Sequence, residues 1–128
     1  MKKILAYRFS AFGDVAMIVP VLKEFLAQNP DTEIVFVSRK NFADLFDGVE
    51  RLTFRGVNLD DYKGVFGLRK LTKELNKEYN PKYVADLHDV LRSKILTILF
   101  KLRRKKTATL DKGRTEKKQL TRKENKIK

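Results

Sequence analysis

Apolar residues along this chain recur in two rhythms, and the alternation between them predicts the elements. Ile4, Leu5, Ala6 and Tyr7 form a short continuous apolar run, the pattern of a strand buried on both faces, placed at Lys3 to Arg8. A loop follows over Phe9 to Gly13. The segment through Gln28 then carries Val15, Ile18, Val19, Leu22, Phe25 and Leu26 at helical spacing. Pro20 interrupts it, which predicts a short helical turn and then a main helix with Pro20 near its start, or else a kink. Asn29-Pro30-Asp31 stops that helix. Glu33 to Val37 is β-branched and aromatic enough for a second strand, and Phe42, Leu45 and Phe46 mark a short helix.

The same alternation continues downstream. Arg51 to Arg55 reads as a third strand and Gly56 to Gly64 as an irregular loop. From Val65, the spacing of Leu68, Leu71, Leu75 and Tyr79 predicts a helix that ends at Asn80-Pro81. Lys82 to Leu87 is the fourth strand. Val90 to Leu102 follows as a helix whose stripe of Leu91, Ile95, Ile98 and Leu102 is expected to pack on the sheet, and Thr107 to Leu110 is the fifth strand. Strands alternating with helices over short connections predict an α/β fold. The expected architecture is a Rossmann-like open parallel sheet of about five strands, with helices on both faces and right-handed crossovers.

Composition changes this picture at one end. The 128 residues suit one domain, which the pattern assigns to residues 1–110. From Lys101 to Lys128 there are 13 Lys or Arg against 3 Asp or Glu, a net of +10, so residues 1 to 100 hold only +3 of the total +13. Residues 111–128 have Leu120 and Ile127 as their only large apolar side chains, and read as a basic, polar tail or the start of an interdomain linker. Such an arm suits phosphates, on nucleic acid or on lipid head groups. No Phe, Tyr or Trp follows Phe100, so the arm lacks the stacking platform of a single-strand binder, and nucleic acid is disfavoured as partner. Apolar residues and cations adjoin one another over Ile95 to Lys106. An interfacial helix against anionic lipid fits that juxtaposition, but the 3.6-residue period of the apolar stripe favours a core-packed helix with a snorkelling basic end.

With no cysteine, disulfides and thiolate metal sites are excluded, and a cytoplasmic location is expected. His88 is the single histidine, and no metal site is expected. Arg8 and Asp14 interrupt the first apolar stretch too early for a signal peptide, and Ile95 to Phe100 is too short to span a membrane.

In open parallel sheets, ligands bind beyond the carboxyl ends of the strands. Two segments lie there: Ser10-Ala11-Phe12-Gly13-Asp14 after the first strand, and Asp86-Leu87-His88-Asp89-Val90-Leu91-Arg92-Ser93 after the fourth. The first has one glycine and no lysine-serine or lysine-threonine ending. It therefore matches neither the dinucleotide fingerprint nor a P-loop, and no tightly bound cofactor is expected. Asp14 is either a first-turn helix residue or a general base. Ser10 is a helix cap or, with exposed helix amides, a phosphate contact. Gly13 permits a positive torsion or the close approach of a ligand. His88, flanked by Asp86 and Asp89, is a structural residue or a polar contact with its ring oriented by those carboxylates. Arg92 is paired with Asp89 or bound to phosphate.

The stretch Lys3-Ile4-Leu5-Ala6-Tyr7-Arg8-Phe9-Ser10-Ala11-Phe12-Gly13-Asp14-Val15, with Pro20-Val21-Leu22 after it, resembles the amino terminus of the heptosyltransferase family of lipopolysaccharide core biosynthesis. Asp86-Leu87-His88, Arg92-Ser93 and Lys112-Gly113-Arg114 fit the same alignment, which covers nearly all of residues 3 to 115. The resemblance implies the amino-terminal half of a GT-B glycosyltransferase. In such an enzyme this domain binds a phosphorylated lipid A/Kdo-type acceptor, and a second domain binds the ADP-sugar donor. It further implies Asp14 as the base of an inverting heptose transfer. Ser10, Gly13, His88, Arg92, Lys112 and Arg114 become acceptor contacts, the last two being a solvated charge run in the alternative reading. On this reading the chain is inactive without the second domain, and it works in the cytoplasm, at or near the inner membrane. Asp89 stands where the family more often has glycine.

Overall fold

A computed structural model describes residues 2–109. Lys112, Arg114 and the tail expected over residues 111–128 lie outside the described residues. Five parallel strands form one sheet: β1 (Lys2–Tyr7), β2 (Thr32–Arg39), β3 (Leu52–Val57), β4 (Tyr83–Asp86) and β5 (Lys106–Thr109), in the order β3-β2-β1-β4-β5. Helix α1 (Phe12–Gln28) joins β1 to β2, α2 (Gly64–Tyr79) joins β3 to β4, and α3 (Leu91–Leu102) joins β4 to β5. A 3-10 helix at Lys40–Phe46 fills the connection from β2 to β3.

The central strands bury both faces, as the apolar runs require. Leu5, Tyr7, Val35, Val37 and Val84 point to one face and pack with Leu68, Leu71 and Leu75 of α2 and Leu96 and Phe100 of α3. Ala6, Ile34 and Phe36 point to the other, against Val15, Leu22 and Leu26 of α1 and Phe42 and Phe46. The chain steps outward from β1 to β3 with α1 on one face, and in the opposite direction through β4 to β5 with α2 and α3 on the other. Every crossover therefore has the same hand, as the chirality rule demands. The Rossmann-like α/β class expected from the sequence is the class observed.

Several local expectations need correction. α1 is one helix from Phe12 with Pro20 inside it, not a helix starting near Pro20. Pro20 is exposed, so the Ala16 carbonyl that loses its amide partner can turn to water. Arg51 is not in β3. It takes a left-handed φ of 61° and its guanidinium donates to the carbonyls of Leu26, Asn29 and Thr32, tying off the end of α1. Gly56 continues β3 rather than opening a loop, and the residue is glycine where a Cβ would stand 3.0 Å from Lys40 Cα. Asn80 does terminate α2, in a left-handed conformation with its N–H on the Asn76 carbonyl.

The largest correction concerns α3. Its buried residues are Ser93, Leu96, Thr97 and Phe100, whereas Leu91, Ile98 and Leu102 of the expected packing stripe are exposed. Two of the inward residues are polar because they have polar work inside. Tyr7 Oη lies 2.6 Å from Thr97 Oγ1, and the Ser93 hydroxyl accepts from the Val90 N–H and donates to its carbonyl. A hydropathy stripe reads such a face as outward.

Candidate functional site

The carboxyl edge of the sheet is organised by the first residues beyond β1. Arg8 and Phe9 stay buried after the strand ends. Their backbone is clamped from β2, with Ser38 Oγ donating to the Arg8 carbonyl at 2.6 Å and Arg39 Nε to the Phe9 carbonyl at 2.7 Å. From the other side, the Leu87 N–H donates to the Tyr7 carbonyl at 3.1 Å. The junction is thus a rigid platform, and α1 rises from it at Phe12.

Asp14 sits in the first turn of α1 and is exposed at this edge. Its Oδ2 accepts from Arg8 Nη2 at 3.0 Å, and the Arg8 side chain is only 4% exposed against 57% for Asp14. Arg8 Nη1 donates to the Leu87 carbonyl at 2.8 Å, so one guanidinium joins the end of β1, the residue after β4 and the Asp14 carboxylate. Arg8 Nε makes no hydrogen bond among the described residues. The sequence reading missed Arg8 as a site residue. Its signal was a cation closing an apolar strand, six residues before a carboxylate in the first helical turn.

Ser10 does not cap α1. Ala11 occupies the cap position, and no side chain hydrogen-bonds there. The Phe12, Gly13 and Asp14 amides belong to the helix's first turn and have no intrahelical partner. Gly13 lies in the helix without a positive φ, which removes the turn explanation for it, and a Cβ there would meet nothing within 4 Å. Space therefore lies open where a side chain at residue 13 would project.

Ser10 meets His88 instead. Its Oγ is 3.5 Å from His88 Nε2, while His88 Nδ1 accepts the Phe9 N–H at 3.3 Å. A neutral ring with Nδ1 as acceptor carries its proton on Nε2, on the side of Ser10. The Phe9 N–H holds one edge of the ring and Ser10 lies at the other. Asp86 is fully buried, and its Oδ1 accepts the His88 and Asp89 N–H groups, each at 2.9 Å. Its Oδ2 lies 3.4 Å from Thr97 Oγ1. Burial, chiefly, and the nearby Asp86 charge hold the Tyr7 hydroxyl above its ordinary range, against the opposing effect of its hydrogen bond to Thr97.

Arg92 is in the first turn of α3 and exposed, but the expected pair with Asp89 does not form. Asp89 lies 3.7 Å from Lys94. Asp89 itself has a left-handed φ of 55°, the conformation that suits glycine at this position. The structure thus brings Ser10 to His88 and Asp14 to Arg8 along one edge, with Arg92 exposed in the first turn of α3. Among the described residues, no group of three or more His, Cys, Asp or Glu stands close enough to hold a metal ion.

A larger hollow of about 600 Å3 lies away from this edge, beside α1 over β1, β4 and β5, lined by Ile4, Ala6, Val21, Leu22, Phe25 and Ala85 among others. Its walls are almost wholly apolar, with Lys2 and Lys106 among the lining residues, so it chiefly offers surface for packing.

No protein-family model matches the sequence, and no curated protein matches it. Solved structures do share the fold. A glycosyl transferase family 9 protein from Veillonella parvula superposes with a TM-score of 0.70 at 20% identity, over 86% of this chain and 36% of that one. The E. coli heptosyltransferase WaaC, solved with ADP, gives 0.61 at 18% identity, over 84% and 34%. The C-terminal domain of the PF1911 hydrogenase from Pyrococcus furiosus gives 0.56 at 17% identity, over 85% and 91%. This chain spans about a third of the length of the two transferases. At these identities the likeness establishes a fold held in common with glycosyltransferases, and a hydrogenase domain uses the same arrangement.

Proposed function

We propose that this chain is the acceptor-side half of an inverting glycosyltransferase of the heptosyltransferase type, with Asp14 as its general base. The observation that carries the reading is the Asp14 carboxylate, exposed at the carboxyl edge and fixed on a buried guanidinium, in the same turn as helix amides that no side chain caps. One carboxylate oxygen rests on Arg8, which leaves the other for an acceptor. An acceptor hydroxyl held there gives its proton to Asp14 as its oxygen attacks the anomeric carbon of the donor. The new carbon–oxygen bond forms, the bond from that carbon to the phosphate oxygen breaks, and the nucleoside diphosphate departs with the electron pair. The amides of Phe12 to Asp14, Ser10 Oγ and the Nε2–H of His88 form a set of donors suited to an acceptor phosphate.

The nucleotide-sugar, an ADP-heptose or a related donor, belongs in this reading to a second lobe. The likeness to transferases about three times as long supports that division. The acceptor is a phosphorylated lipid A/Kdo-type sugar. Transfer is to be measured with the chain joined to a nucleotide-sugar-binding lobe, comparing the parent with Asp14→Asn. Loss of a positioned general base lowers turnover by roughly 100-fold or more. Full turnover in the variant would remove Asp14 from the mechanism.

A further inference from the structure

α3 carries apolar residues on its outer side as well as on the side packed against the core. Its sequence, Leu91-Arg92-Ser93-Lys94-Ile95-Leu96-Thr97-Ile98-Leu99-Phe100-Lys101-Leu102, holds no acidic residue. The inward side carries Ser93 and Thr97 beside Leu96 and Phe100, as the polar chain to Tyr7 and Asp86 requires. Leu91, Ile98 and Leu102 are 75%, 56% and 75% exposed. At about 100° per residue these three fall within roughly 40° of one another, on the side opposite Ser93, Leu96, Thr97 and Phe100. They form a stripe along the whole length of the helix. Lys94 and Lys101 flank it on one side and Arg92 on the other, and Arg103 and Arg104 are exposed immediately beyond it.

Water is a poor solvent for that stripe, and the cations around it select among the surfaces that could cover it. Nucleic acid would satisfy the charges but would have no use for branched aliphatic side chains, and no aromatic residue on this face offers a base a stacking platform. A bilayer bearing anionic head groups satisfies both needs at the depth of one side chain: the aliphatic stripe enters the acyl boundary while the lysines and arginines remain among the phosphates. The excess of cations from Lys101 to Lys128, 13 against 3 acidic residues, continues directly from the end of this helix.

We infer that the outer face of α3 docks this protein on an anionic lipid bilayer. The helix lies in the interface and does not cross it. Among the described residues no helix is long and apolar enough to span a membrane. Because α3 begins where β4 ends, docking along its length sets the crevice edge beside the head groups. The inference depends on the exposure and charge of α3 and not on the sugar-transfer reading.

The test is co-sedimentation of the 128-residue chain with phosphatidylcholine vesicles containing about one-third phosphatidylglycerol, and with phosphatidylcholine alone, at physiological salt. The parent should pellet with the anionic vesicles only. Ile98→Ser combined with Leu102→Ser alters exposed side chains, so the fold should survive, as circular dichroism will check. This variant should bind at least about tenfold more weakly. Lys94→Gln with Lys101→Gln should lose roughly fivefold for each charge. If the double serine variant binds as tightly as the parent, cations alone make the contact and the inference is wrong. It is equally wrong if the parent ignores vesicles, or if the stripe proves to hold two copies of the chain together in solution.

Discussion

The βα junctions after β1 and β4 each carry an aspartate at the carboxyl edge, and the sheet treats them in opposite ways. Asp14, after β1, projects from the first helical turn into solvent with one oxygen on Arg8. Asp86, at the end of β4, is sealed inside, with both oxygens committed to the His88 and Asp89 amides and to Thr97. The first is a carboxylate held ready; the second is a substitute for missing backbone partners. Position at the ligand edge of an open sheet is therefore insufficient to make a carboxylate a candidate for chemistry. What decides is whether its lone pairs are already satisfied by the protein.

Substitution should separate the two sharply. Asp86→Ala leaves the His88 and Asp89 amides without their acceptor inside the protein, and stability should fall by about 3 kcal/mol, read from urea unfolding at neutral pH. The buried chain behind Asp86 gives the next effect. Tyr7→Phe removes the hydrogen bond to Thr97 and should cost about 1 kcal/mol at neutral pH. Because burial raises the Tyr7 hydroxyl in the folded state, its contribution is complete below the ordinary tyrosine range. It is lost as the pH climbs above about 10, where the unfolded chain ionises first. The variant should therefore lose stability less steeply than the parent on the alkaline side. Asp14→Asn should be the mildest. With the carboxylate 57% exposed and screened by water, the change in stability should stay within about 0.5 kcal/mol. A large loss there would show that Asp14, like Asp86, serves the fold.

Much of the fold was legible because the central strands and α2 follow simple rules. The run from Ile4 to Tyr7 is apolar on both faces because both faces are covered, and Asn80-Pro81 ends α2 through local backbone chemistry alone. Where a residue's role depends on a partner far along the chain, the pattern misled. Ser93 and Thr97 look like surface residues until Tyr7 and Asp86 are found beneath them, and this turned α3 outside in. Its position after the first strand put Asp14 at the carboxyl edge, and the resemblance to the heptosyltransferase family marked it as the base. Arg8, which holds it, and the contacts of His88 with the Phe9 amide and Ser10 depend on side-chain directions that spacing does not specify.

The claim that Asp14 and its neighbours face a ligand is tested most directly by amide-resolved NMR of the 128-residue chain titrated with a phosphorylated Kdo-lipid A head group. Shifts should concentrate at Ser10, at the Phe12 to Asp14 amides and at the His88 ring, while the amides bonded to Asp86 move less. Shifts confined to the apolar hollow around Val21 and Phe25, or none at saturating head group, would contradict it.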